Sequence, residues 1–164
     1  MPASLSVPGR AVRALVVSRG AWRRCEDHLA AHLPDEAVGL FAGRVRTTPA
    51  GPVGVATRFL PLPNRAARPS RVFEVPASDL LRAMAYASAQ GLTALAVVHS
   101  HPDGPARPSR PDTEGGWPEL VTVVVGRSGT ARRAVAAPAP SAGQTVPIAV
   151  GRRRGQGAPR PRGR

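Results

Sequence analysis

The sequence predicts an α/β fold: a mixed, curved sheet with one helix on each side. Three observations carry this. Apolar runs of strand length alternate with two stretches of helical periodicity. The run Leu92-Thr93-Ala94-Leu95-Ala96-Val97-Val98 is apolar enough for a buried central strand. Two Val- and Ala-rich runs, 120–125 and 131–136, face each other across a glycine-containing turn at 126–129. At 164 residues the chain has room for one domain with a real core and hardly for two. Aromatic residues make up only 4%, so Val, Leu and Ala must fill that core.

Each element has a local reason. Residues 1–10 read as a loose leader, and 11–17 as the first strand. Ser18 is a suitable N-cap for a helix over 19–33, where Trp22, Cys25, Leu29 and Leu33 form one apolar stripe and Pro34-Asp35 ends the run. Residues 37–46 read as a buried strand weakened by Gly39 and Gly43, 47–52 as a turn, and 53–60 as the next strand. The proline-rich stretch 61–70 is a loop, and 71–75 a short strand. Ser78 is expected to cap a second helix over 79–90, with Asp79 favourably placed against the helix dipole and Gly91 as its C-terminal stop. After the central strand comes a long loop, 102–118, and loops of that length in compact domains tend to be functional. Residues 138–150 form a low-complexity segment with a last strand at 146–150, and 151–164 an Arg-rich tail that is disordered by composition.

The net charge is +13, and every one of the 23 basic residues is Arg. Together with 19 Pro and 17 Gly this reads first as coding bias, and second as attraction to an acidic protein or nucleic acid. A single cysteine, Cys25, excludes an intramolecular disulfide framework and any Cys-rich zinc site. No run approaches the ~20 apolar residues of a membrane span, and no secretory signal is visible, so a cytoplasmic protein is expected.

The chemistry concentrates in fourteen residues, from His99-Ser100-His101-Pro102 to Pro108-Ser109-Arg110-Pro111-Asp112. Side-chain direction repeats every two residues in a strand, so His99 and His101 share one face at the end of the central strand, and Ser100 takes the other. Two imidazoles and the Asp112 carboxylate make a three-ligand set that suits a catalytic zinc with its fourth position open. Such a site also needs a general base that is not a ligand. Glu36 is the best candidate, although sequence alone does not bring it to the metal.

The pattern His99-x-His101-x7-Ser109-x2-Asp112, with Glu36 in Glu36-Ala37-Val38-Gly39-Leu40, resembles the JAMM or MPN-plus (JAB) zinc metallopeptidases, in their small single-domain bacterial branch. The resemblance runs over 11–137 and includes the Pro63-Asn64 loop. It implies a JAB/MPN-like architecture related to cytidine deaminases, and one Zn2+ per chain on His99, His101 and Asp112. It implies Glu36 as the base that deprotonates water and then protonates the leaving amine, and Ser109 as the donor to the developing oxyanion. The implied substrate is a ubiquitin-like or sulfur-carrier protein, cut at a peptide or isopeptide bond at its C-terminal tail, with release of a carrier-bound amino acid as one specific form. Relatives in this branch often carry Cys where Val38 stands, which weakens the transfer of a detailed substrate but not of the chemistry.

Other readings compete. A nucleoside deaminase needs a Pro-Cys-x-x-Cys pair, which one cysteine excludes. A metal-free MPN-type scaffold would keep the fold and bind no zinc. A nucleic-acid-associated protein would use the basic tail, but the related DNA-repair branch usually has Asn between the histidines, where this chain has Ser100. His28 and His32 lie off the apolar stripe and read as a solvated face; Asp103 and Glu114 read as solvated, Cys25 as core, and Trp117 as packing at a loop–strand junction.

Overall fold

The computed structural model describes residues 12–117, 119–128, 131–137 and 146–151. The expected leader at 1–10, the low-complexity stretch 138–144 and the tail at 152–164 lie outside the described residues. Among the described residues seven strands form one sheet: β1 (Ala14–Ser18), β2 (Val38–Thr48), β3 (Gly51–Leu62), β4 (Thr93–His101), β5 (Val121–Ser128), β6 (Ala131–Ala137) and β7 (Ile148–Gly151). Their order across the sheet is β6-β5-β4-β2-β3-β1-β7. Neighbours β2/β3, β2/β4 and β5/β6 run antiparallel, while β4/β5, β1/β3 and β1/β7 run parallel. The sheet is thus mixed, and it curls until its two outer strands, β6 and β7, approach each other.

Helices α1 (Arg19–Ala31) and α2 (Ala77–Ala89) cover opposite faces, as expected. Ala21, Cys25 and Leu29 of α1 pack with Leu15, Val17, Phe41 and Val98. Leu80 of α2, with Ala83 and Met84, packs on Val38, Leu40, Ala94 and Val97. Neighbouring residues of β2 and β4 thereby serve two separate cores, which is why β4 reads as a continuous apolar run rather than an alternating one. Burial pushes the Cys25 thiol up to about 12, with Glu26 adding to the shift, so this cysteine is an inert core residue.

Several expectations need correction. Helix α1 has the predicted Ser18 cap, bonded to the Ala21 N–H at 3.3 Å, but it ends at Ala31. Leu33 therefore lies beyond the helical register, and it is 47% exposed rather than part of the stripe. Helix α2 begins two residues early, because the Pro76 carbonyl takes the N–H groups of Asp79 and Leu80, leaving Ser78 inside the helix and not at its cap. Residues 71–75 pair with no strand. At Gly39 of β2 there is no space for a side chain: a Cβ would run into the Phe59 ring, which packs edge-on against Phe41 at 5.7 Å. Gly91, at φ +67°, is the left-handed stop expected after α2. The 102–118 segment is not wholly loop, since it holds a third helix, α3 (Arg110–Gly115).

Candidate metal centre

Register and capping assemble the site. Strand β4 ends at His101, so His99 and His101 project from neighbouring same-face positions. Asp112 arrives on α3, in the connection between the parallel strands β4 and β5. A capping box starts that helix: the Ser109 hydroxyl accepts from the Asp112 N–H at 3.4 Å, and Asp112 Oδ2 accepts from the Ser109 N–H at 2.6 Å and from its hydroxyl at 2.7 Å. Pro111, early in the helix, gives up no useful donor there.

His99 Nε2 lies 3.2 Å from Asp112 Oδ1, and His101 Nε2 lies 3.2 Å from Asp112 Oδ2. The two Nε2 atoms are themselves 3.2 Å apart. Two ~2.0–2.1 Å zinc–nitrogen bonds at a tetrahedral angle would place the nitrogens about 3.3 Å apart. His101 Nδ1 bonds to the Pro105 carbonyl at 3.1 Å, which puts its proton on Nδ1 and leaves Nε2 a lone pair. Two imidazole nitrogens and a carboxylate thus converge on one point, and a cation satisfies such a cluster. The donor set fits a zinc-type ion. Among the described residues this is the one group of three or more His, Cys, Asp or Glu with that geometry.

The electrostatics agree with the contacts. Burial pushes the Asp112 carboxyl up, but hydrogen bonds with His101, His99 and Ser109 outweigh this and hold it well below the usual carboxylate range. Burial lowers the His99 pKa more than Asp112 raises it, so His99 is neutral, the form a metal requires. For His101 burial acts downward, yet its bonds to Asp112 and Pro105 leave the net shift upward. The Nδ1 atom of His99 is buried with no partner among the described residues, and the Phe73 ring lies over the imidazole with centroids 4.5 Å apart.

Glu36 stands beside the His99–His101–Asp112 cluster, close enough to feel the charges of His101 and Asp112. Ala37 and Ser100 bond reciprocally: Ser100 Oγ accepts from the Ala37 N–H at 2.9 Å, and the Ser100 N–H donates to the Ala37 carbonyl at 3.0 Å. The β2/β4 register pairs Val38 with His99, and carrying it through Ala37 and Ser100 sets Glu36 opposite His101. Ser100 is therefore the pin between the Glu36 segment and the end of β4. Burial raises the Glu36 carboxyl to about 7, with the charge on His101 opposing and that on Asp112 adding.

Sequence reasoning missed three supporting groups. Phe73, in the stretch misread as a strand, covers His99. The Pro105 carbonyl fixes the His101 tautomer. Gly126, paired with His101 across β4/β5, leaves space for that carbonyl, because a Cβ there would strike the backbone of Pro105 and Ala106. A glycine closing an apolar strand was its only signal. If the cluster holds a zinc-type ion, Gly126→Ala is expected to push the 105–106 backbone off His101 and weaken that binding about 10–100-fold, measured by competition with a chromophoric chelator.

Other histidines and acids also fall into place. His28 is not on a solvated face: its Nε2 lies 3.1 Å from the Val38 carbonyl and its ring packs on Phe59, because α1 packs mainly over β3. Burial lowers its pKa, with His32 adding and the Val38 bond opposing. Asp103 and Glu114 are exposed, and Glu114 pairs with Arg110. Trp117 packs into the α2-side core as expected and also walls a groove.

An α/β domain with a curled mixed sheet and a two-histidine, one-aspartate cluster at the end of its central strand defines a JAB-type domain. Residues 18–137 match the family model "Prokaryotic homologs of the JAB domain", and the chain belongs to that family. A curated relative from Thermus thermophilus, "Probable TtuB-protein conjugate cleaving protease", is 35% identical over 115 residues, 70% of this chain and 72% of the relative. A solution structure from Desulfitobacterium hafniense superposes with a TM-score of 0.69 at 23% identity, covering 84% of this chain and 92% of that one. A second, from Salinibacter ruber, gives 0.56 at 26% identity, covering 85% and 94%. Family and curated relative both point to a hydrolase.

Proposed function

We propose that this protein is a zinc-dependent peptidase that cleaves a peptide or isopeptide bond at the C-terminal tail of a ubiquitin-like or sulfur-carrier protein. The observation that carries the reading is the cluster of His99, His101 and Asp112 with the buried carboxyl of Glu36 beside it. His99, His101 and Asp112 would hold the ion, which when bound supplies Lewis acidity and lowers the pKa of water. Glu36 takes the proton of the attacking water and returns it to the leaving amine. The groove, about 210 Å³, runs between residues 72–75 and Gly115, Gly116 and Trp117, with Asp112 on its wall. Glycines on one side leave space for main chain without bulky side chains, and an extended glycine-ending tail fits that shape.

The relative's named action on TtuB conjugates supports a carrier protein as substrate. Incubating zinc-loaded protein with candidate carrier conjugates, read by intact mass, tests the reading. Loss of the conjugated moiety supports it, and intact conjugates across the panel refute it. Among the described residues no helix is long and apolar enough to cross a membrane.

Ser109 is assigned the oxyanion contact, for which its hydroxyl must exchange Asp112 Oδ2 for the substrate oxygen. Ser109→Ala is expected to lower kcat roughly 10²–10³-fold with zinc content unchanged. Metal analysis beside the kinetics checks this: a variant that sheds zinc instead would restrict the hydroxyl to holding Asp112.

A further inference from the structure

Residues 36 and 37 lie ahead of the paired run of β2, yet all four of their main-chain polar groups are bonded. Strand β4 provides for Ala37 through Ser100. The segment over the site provides for Glu36: its N–H donates to the Pro69 carbonyl at 2.7 Å, and its carbonyl accepts from Asn64 Nδ2 at 2.8 Å. That amide also lies 3.1 Å from the Val72 carbonyl and 3.5 Å from that of Pro69. Asn64 Oδ1 accepts from the N–H groups of Ala66 and Glu74, each at 3.0 Å. One side chain therefore ties Glu36 to both ends of the tripeptide Val72-Phe73-Glu74, whose middle ring covers His99.

We propose that Asn64 is a positioning residue: its amide holds the Glu36 main chain and the 72–74 strip in one fixed relation, so that the Glu36 carboxyl faces His101 and Asp112. Only asparagine matches the demand. The hub needs a donor arm and an acceptor arm on a short stem; aspartate has no donor, and glutamine is one methylene too long. Asn64 does not touch the reacting atoms, and it contacts none of the three ligand side chains, so its loss should separate catalysis from metal binding. The effect on turnover rests on the hydrolase reading; the effect on the backbone does not.

The test uses the full chain with Asn64→Ala and the near-isosteric Asn64→Asp, which keeps the acceptor arm and loses the donor arm. Both are expected to bind zinc as the parent does and to lose about 100-fold in kcat, the scale of a misplaced catalytic group. Hydrogen exchange should quicken about tenfold over 34–40 in both variants, the scale of one lost hydrogen bond, and over 72–76 more in Asn64→Ala. Residues 93–101 should keep their protection. Parent-like exchange over 34–40 in either folded variant overturns the proposal, as does parent-like kcat in Asn64→Asp. If Asn64→Ala does not fold, Asn64→Asp decides alone. If the parent itself cleaves no conjugate, the hydrolase reading fails, and the exchange data still judge the clamp.

Discussion

Glu36→Gln is expected to abolish hydrolysis while leaving zinc binding and fold intact. Glutamine keeps the size of the side chain and cannot accept and return a proton at neutral pH, so the whole general-base contribution, typically 10²–10⁴-fold, should vanish from kcat. Glu36 is not among the clustered ligands, so zinc content should stay at the parent value. A second readout needs neither substrate nor metal. Burial raises the Glu36 carboxyl from the ordinary 4.5 to about 7, so the fold prefers its protonated form. A raised pKa contributes stability that is fully present below the unfolded value and is lost as pH rises through the folded one. Gln mimics the protonated form at every pH. The metal-free variant should therefore melt above the metal-free parent at pH 8, with the gap closing toward pH 4.5. Thermal melts across that range check the sign. A parent that stays as stable as the variant at pH 8 would mean the carboxyl is solvated, and parent-like turnover by the variant would remove Glu36 from the mechanism.

That melt would test the one site residue whose position was least legible in the sequence. The two histidines were readable because strand periodicity is local: an apolar run ending His-x-His puts both rings on one side without reference to any other element. The helix cap at Ser18 and the stop at Gly91 were legible for the same reason. Glu36 depends on an antiparallel register that Ser100 fixes at Ala37, 63 residues away in the chain. No local pattern states that register, and only the family resemblance pointed to it. The sequence around Asp112 reads as loop because Pro108, Pro111 and the nearby glycines are breakers. One of those prolines sits at the start of a short helix, where its missing N–H costs nothing. In the stretch 71–75, Val72 and Glu74 find their partners in the Asn64 side chain and the Arg65 N–H rather than in a strand. Its composition is that of a strand, and its role is to lay Phe73 on His99.

Asp112→Ala is expected to cost more zinc affinity than any change outside the ligand set. Removing a supporting group around a metal typically costs about 10–100-fold; removing a ligand should exceed that. The carboxylate has three duties here: its two oxygens each lie 3.2 Å from an imidazole Nε2, and Oδ2 also takes both donors of Ser109. Its loss leaves two imidazoles facing each other with no anion between them, and it unpicks the cap of α3. Asp112→Asn separates these effects, since the amide keeps the shape and one acceptor for the cap but loses the negative charge. Zinc stabilises the native state in proportion to RT ln(1 + [Zn]/Kd), so melting with and without zinc reads the affinity directly. The parent should gain melting temperature with zinc and lose it again on chelation, and both variants should gain little at the same concentration. An Asp112→Asn protein with the parent's zinc-dependent gain would show that the charge is not needed to hold the ion. The cluster would then be a polar knot of the fold, and the hydrolase reading would lose its metal.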